Sequence, residues 1–475
     1  MTGHTERAVT EAQVRELREK LDHPIIDADG HLLENLPLLW ATVDRLFGLD
    51  TVSRVVTALR ERPMLTLGDA TTGTPRGAWW GIPNDTDDVA TTSIPDRLAA
   101  RLNALGIDYA VLYPTVGLGF PTVPDADVRQ PLCRALNVMN AELTAPHQAL
   151  MTVAAVIPMH DPDEALAELR YAVDELGSKV VVITPGAARP VPSHPEAFPA
   201  AHRVDRFGLD STYDYDPVWE FISAHRLALA VHGGAGYVYL PPPQQSPTNF
   251  VANHLLAHAS LLNESAKSLI LGGVYDRFPE LQVAYLEGGA GWAVDLMHAM
   301  VEHHEKRGPD GLELLDPKAL DIAALTEAFR AAGMPAADLS DDVVGATPVG
   351  TLDEWATSGL ASGDEIVALF RDRMFVGCEG DDRGVRRAFD AVGNIHGVQL
   401  SAMFSSDIGH WDVPRLAGVV PHTRELVDSG AITDDDYRQF VFGNAVRFFA
   451  GADPDFFAGT AVADAASAEL TGATT

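Results

Sequence analysis

Only two cysteines, Cys133 and Cys378, occur among 475 residues, and they lie far apart. So few thiols exclude a disulfide framework, a cysteine-rich zinc site and an ordinary iron–sulfur cluster, and they fit a reduced, cytoplasmic setting. Basic residues are scarce as well: 34 Lys and Arg stand against 67 Asp and Glu, a formal charge of −33. Such a surface repels a phosphate backbone, so nucleic acid is not an expected partner. No apolar run approaches the roughly 20 residues needed to cross a bilayer, and the first residues lack a secretory apolar stretch, so no membrane partner is expected. Internal repeats and low-complexity linkers are missing. So are a G-x-G-x-x-G turn between strand and helix, a G-x-S-x-G elbow and a Walker A loop, which removes the commonest nucleotide and serine-nucleophile readings.

What the chain does have is core-forming sequence, with 46% apolar residues. Compact, β-branched runs recur at Pro24–Asp29, Tyr109–Tyr113, Met151–Ile157, Lys179–Ile183, Leu227–Val231, Leu281–Leu286, Met374–Val376 and Leu400–Phe404. Each is followed by Gly, Pro or Asp and usually by a helical stretch. Strands apolar along their whole length suit a parallel sheet covered on both faces. Eight of them predict an α/β fold, a distorted (β/α)₈ TIM barrel spanning residues 24–455. A helix is expected within residues 1–23 and a mobile tail over 456–475. Two stretches break the rhythm. Residues 32–105, with Trp79-Trp80, read as a long insertion after strand one, and the helical, polar residues 307–372 read as an insertion before strand seven. Both are expected to cover the barrel mouth.

Chemistry-bearing residues gather at the strand ends. Asp27, Asp29 and His31 follow one another at i, i+2 and i+4, which in an extended strand puts all three on one face. Alone, the two aspartates are as readily explained as caps of the next segment. Later strands add His232 in Val-His-Gly-Gly, Glu287 in Leu-Glu-Gly-Gly, and Asp407 in Phe404-Ser-Ser-Asp-Ile-Gly-His410-Trp-Asp412. Charged groups at four separate strand ends are hard to explain by packing, because unpaired charges are rarely buried, and in a barrel they converge on one mouth. The pattern predicts a metal site. His258, four residues after His254 on an expected helix, is a weaker candidate, and Glu379 a supporting one. His298, His303 and His304 read as an exposed helix.

Taken in order, the segments Asp-Ala-Asp-Gly-His, Gly106-Ile-Asp-Tyr-Ala-Val-Leu-Tyr-Pro-Thr115, Val-His-Gly-Gly, Gly273-Val-Tyr-Asp-Arg-Phe-Pro-Glu-Leu, Leu-Glu-Gly-Gly and Ser-Ser-Asp resemble the amidohydrolase-related family, from residue 25 to about 450. This is the branch of the amidohydrolase superfamily that includes aminocarboxymuconate-semialdehyde and resorcylate decarboxylases. The resemblance implies a divalent metal held by Asp29, His31, His232 and Asp407. It departs at strand six, where those decarboxylases carry a histidine and this chain carries Glu287. Strand four also lacks the C-terminal lysine that would form the bridging carbamate of the dinuclear hydrolases.

A carboxylate at that place implies a second metal ligand. The Leu-Glu-Gly-Gly subgroup resembles non-heme di-iron monooxygenases of terpenoid metabolism. On that reading Asp29, His31, His232, His258, Glu287 and Asp407 hold two irons, with zinc or manganese as alternatives, and Glu287 and His258 serve catalysis. The substrate would be a bulky apolar organic acid or its thioester, lying against Trp79-Trp80 and Tyr237-Val-Tyr-Leu. The alternative is a metal-dependent hydrolase or decarboxylase of a small organic carboxylate. Dimers are common among proteins of this type, so a homodimer is the expected partner arrangement.

Overall fold

The computed structural model describes residues 9–61, 68–77, 85–198, 201–234, 245–316, 319–335, 351–410 and 413–472. Trp79-Trp80, Tyr237-Val-Tyr-Leu, Trp411 and Asp412 lie outside them. The strands are β1 (Ile26–Leu32), β2 (Tyr109–Pro114), β3 (Met151–Val153, resuming at Ala155–Val156), β4 (Val180–Ile183), β5 (Ala228–His232), β6 (Val283–Leu286), β7 (Met374–Cys378) and β8 (Ser401–Phe404). All neighbouring pairs are parallel. The order β1-β2-β3 in one sheet continues through the two halves of β3 into β4-β5-β6-β7-β8 in the next. Two backbone bonds close the ring: Asp407 N–H donates to Asp29 O at 2.9 Å and His31 N–H to Ile408 O at 2.7 Å. Each expected run holds one barrel strand, and the fold is the anticipated (β/α)₈ barrel.

Local chemistry sets the boundaries. The helix Pro162–Asp174 starts with Asp161 accepting from Glu164 N–H at 2.8 Å and with proline at its first turn, where a missing N–H costs nothing. The helix Pro95–Leu105 ends at Gly106, whose φ of 87° suits a residue without a side chain. A Cβ there would also strike Val14 of the N-terminal helix at 2.9 Å. That helix runs over Glu11–Arg18, shorter than the sequence suggests, and opens with a Thr10/Gln13 capping box.

The insertion after β1 contains the helices Leu36–Phe47, Leu49–Glu61, Thr86–Ser93 and Pro95–Leu105. Its start is pinned by buried Glu34, which accepts N–H bonds from Thr115, Val116 and Gly117, each at 2.9 Å. The stretch before β7 holds Leu312–Leu315, Ile322–Ala331 and Gly363–Asp372, the last packing on Gly291–Arg307 as an ordinary barrel helix. In the tail, expected to be mobile, residues Ala463–Thr471 form a helix with Ala466 buried, and Arg438 pairs with Glu469. The Ala-rich composition that reads as low order is also the strongest helix-forming composition, and a docking surface decides between them. No helix among the described residues is long and apolar enough to cross a membrane.

Candidate metal centre

Parallel strands deliver all their C-terminal ends to one rim. Asp29 and His31 come from β1 and His232 from the last position of β5. Glu287 follows β6 directly, Asp407 lies three residues beyond β8, and His258 is on the helix Ala257–Leu271. All six converge. His31 Nε2 lies 3.5 Å from Asp29 Oδ1 and 3.1 Å from Asp407 Oδ1. His232 Nε2 lies 3.3 Å from the same Asp29 oxygen, and its Nδ1 is 3.3 Å from Glu287 Oε2. His258 Nδ1 is 3.4 Å from Glu287 Oε2. The side chains of Asp29, His31, His232 and Asp407 are at most 2% exposed and that of Glu287 7%.

Asp27 departs from expectation. The β1–β2 register shifts between Asp27 and Gly30, so the i, i+2, i+4 face is broken. Asp27 turns instead to the N–H and hydroxyl of Ser406, and burial pushes its carboxyl up to about 7. It ties the barrel seam rather than joining the cluster. His254 and His258 also fail to share one helix. Leu256, at φ 58°, separates Phe250–His254 from Ala257–Leu271, although the two rings still meet edge to face at 5.3 Å. Glu379 is half-buried beyond β7 and outside the converging groups. His303 is exposed, as expected, while His298 and His304 are half-buried.

His410 also belongs to the cluster, although the sequence reading gave it no role. Its Nδ1 lies 2.7 Å from Asp407 Oδ1 and 3.4 Å from Glu287 Oε1, and its ring stacks on His31 at 3.6 Å. The available signal was the spacing Asp407-Ile-Gly-His410, in which Gly409, at φ 92°, turns the chain back. A Cβ on Gly409 would meet His31 O at 2.7 Å. Other glycines act by absence too: a Cβ on Gly233 would meet His258 Cβ at 2.8 Å.

Glu287 and Asp407 sit at φ 67° and 54°. Left-handed backbone at a non-glycine residue costs on the order of 1–3 kcal/mol and persists where surrounding structure over-determines it. Here it aims two carboxylates inward.

These atoms crowd without hydrogen bonding. Asp29 Oδ1, His31 Nε2, His232 Nε2, Glu287 Oε2, both Asp407 oxygens and His410 Nδ1 are buried, and none has a hydrogen-bond partner among the described residues. Donor atoms 3.1–3.5 Å apart yet misaligned for hydrogen bonds are what ligands aimed at a shared centre look like. Single ligand atoms of Asp29, His31 and His232 all lie within 4.8 Å of one another, as do those of His31, Asp407 and His410. His31 is pre-set for coordination: its Nδ1 is 2.9 Å from Pro114 O, a pure acceptor, so Nδ1 carries a proton and Nε2 is the nitrogen presented to a metal. The nitrogen and carboxylate set suits zinc, manganese or iron.

The carboxylates favour protonated imidazoles around them. Burial opposes charging of His232, but Asp29 and Glu287 outweigh it and push the imidazole up to about 10. His410 is likewise raised by Asp407 and Glu287 against burial, and Glu287 is held well below its ordinary range by His258 and His232. The cluster is built to hold positive charge.

A barrel carrying such a cluster at its C-terminal mouth defines the metal-dependent barrel enzymes. The chain belongs to the amidohydrolase family, whose sequence model matches residues 26–451; it is a metal-dependent enzyme of the amidohydrolase superfamily. An amidohydrolase from Mycobacterium avium subsp. paratuberculosis shares the fold at 17% identity and a TM-score of 0.54, over 90% of this chain and 100% of that one. The 2,6-dihydroxybenzoate decarboxylase from Rhizobium and the 5-carboxyvanillate decarboxylase from Sphingomonas paucimobilis are each 16% identical, with TM-scores of 0.48, covering 90% of this chain and 98% of theirs. No protein of curated function matches the chain by sequence.

Proposed function

We propose that the protein is a metal-dependent hydrolase or decarboxylase of a small organic carboxylate, working by proton transfer at this centre. Asp29, His31, His232 and Asp407 would hold a divalent ion, which supplies Lewis acidity when bound. The observation that carries the reading is Glu287 set among the imidazoles of His232, His258 and His410 at 3.3–3.4 Å. Asp29, Asp407 and Glu287 bring three negative charges, so one dication leaves the centre one proton short of neutrality. With Nε2 on the metal, His232 would keep its one proton on Nδ1, facing Glu287 Oε2 at 3.3 Å. The missing proton has Glu287 and the imidazoles of His258 and His410 to move among. A proton shared this way is available to a substrate as acid and recoverable as base.

A second reading, an oxygenase with two irons acting on a bulky apolar acid, draws on one feature. Four ligands suffice for one ion, and Glu287, His258 and His410 remain beside them. Metal content separates the two. Protein purified without added metal should carry one divalent ion per chain and consume no dioxygen with reductant; two irons per chain would overturn the proton-transfer reading. Glu287→Gln should then keep its metal while turnover of carboxylate substrates falls at least 100-fold. Metal lost together with activity would make Glu287 a ligand.

A further inference from the structure

Tyr113 is the last side chain of β2 to face the barrel interior, and nothing so far has used it. It pairs with His31 across the β1–β2 ladder, so the two side chains leave the sheet on the same side. Its ring centroid is 6.3 Å from that of His31 and 5.7 Å from that of His232, and these two imidazoles stand 5.1 Å apart at 90°. Both imidazoles turn Nε2 toward Asp29 Oδ1. The phenol therefore completes a three-ring wall around the inner end of the metal centre. The residue is 0% exposed, and its hydroxyl has no hydrogen-bond partner among the described residues.

A fully buried hydroxyl without a partner is rare, and each case calls for a physical reason. Packing does not supply one, since phenylalanine would fill the same volume with no polar atom to desolvate. Nor is the hydroxyl a source of negative charge: burial, with Asp29 and Asp27 close by, holds the phenol well above its ordinary pKa. It stays an O–H, a donor on a ring that stands beside the imidazoles and carboxylates of the cluster.

We propose that the Tyr113 hydroxyl binds substrate, donating a hydrogen bond to a carboxylate oxygen placed at the metal centre. The proposal rests on the metal reading above and extends it by naming the group that recognises the anionic oxygen. A neutral donor fits that task here. An arginine or lysine so close to His31 and His232 would compete with the metal for Asp29, whereas a phenol polarises the substrate oxygen without adding charge.

The test uses full-length protein loaded with cobalt, with acetate as the probe and the visible cobalt absorption as the signal. Tyr113→Phe should bind as much cobalt as wild type and bind acetate about tenfold more weakly or worse, as expected for loss of a hydrogen bond to a charged group. Equal acetate affinity with cobalt retained would overturn the proposal, because the hydroxyl would then serve packing alone. Loss of cobalt would overturn it too, placing Tyr113 in ligand support. Thermal unfolding without metal gives a second check. The Phe variant should be at least as stable as wild type, and a less stable one would mean that the hydroxyl is bonded within the protein. Wild-type protein that takes up no cobalt would overturn the metal reading along with this one; cobalt uptake with indifferent acetate binding would overturn this one alone.

Discussion

Two buried charge clusters occur in the same barrel, and they are finished differently. On the β3–β4 side, Arg129 meets Glu164 through paired bonds of 2.7 and 2.6 Å and gives its remaining nitrogen to the carbonyls of Val123 and Pro124. Nearby, Arg189 bonds Asp205 and the Tyr215 hydroxyl, which itself donates to Met159 O. Each of these charged side chains has a partner, although His160 Nδ1 beside them is buried without one among the described residues. At the strand ends of β1, β5, β6 and β8, the carboxylates face imidazoles, and seven of their buried polar atoms lack hydrogen-bond partners among the described residues. Burial alone therefore does not mark a functional site. Paired charges mark architecture, and a concentration of open valences marks a place kept for something else.

The sharpest way to break this contrast is to open the closed cluster. Arg129→Ala leaves the Glu164 carboxylate buried and unpaired, and should cost about 3–5 kcal/mol in urea unfolding. The loss should be the same with or without metal. A metal-dependent loss would mean that the two clusters are one system.

Next in size is the effect of filling the open cluster. Divalent metal at 100 times its dissociation constant should stabilise wild type by about 2.7 kcal/mol. Asp407→Asn and His232→Ala should abolish that increment and most of the bound metal, as read by elemental analysis and thermal unfolding. An increment that survives both substitutions would relocate the site.

Acid gives a smaller, graded effect. Burial beside Arg129 and Arg189 presses His160 down to about 3. The unfolded chain binds this proton near pH 6.5 and the folded chain does not, so the stability contributed by neutral His160 is present above pH 6.5 and falls as pH drops toward 3. The slope is at most about 1.4 kcal/mol per pH unit. His160→Gln should remove that part of the acid sensitivity, and an unchanged slope would show that His160 is not held neutral.

The smallest effect is expected where bond geometry is kept and burial removed. Arg45 grips Glu142 at 2.9 and 2.8 Å, much as Arg129 grips Glu164, but both side chains are half exposed. Arg45→Ala should cost less than about 1 kcal/mol. A loss comparable to that of Arg129→Ala would mean that geometry, not burial, sets the stake.

The architecture was legible in the sequence for a simple reason. A strand buried on both faces must be apolar along its length, and all eight runs declare themselves so. Their ends were less legible: β1 reaches Leu32 rather than Asp29, because polar ligands continue a strand as well as they end one. Asp29, His31, His232, Glu287 and Asp407 could be found from their places at strand ends. His410 was harder to find, because the spacing Asp407-Ile-Gly-His410 takes its meaning from a left-handed turn at Gly409 that the folded backbone reveals. Asp27 went astray for the same kind of reason, a register shift invisible to a spacing rule. Tyr113 reads as one more apolar strand residue until its hydroxyl is seen to lack a partner.

The seam between β1 and β8 has a consequence for how the protein is made. Asp27 and Ser406 are bonded across 379 residues of chain, and the two backbone bonds that shut the ring run through Asp29, His31 and Asp407 themselves. On the proposed metal reading, a nascent chain emerging from the ribosome would hold its first ligands for nearly the whole of translation before the last ones arrive. Metal capture would then be a late checkpoint in biosynthesis, passed only by chains that have been completed through β8 and have closed.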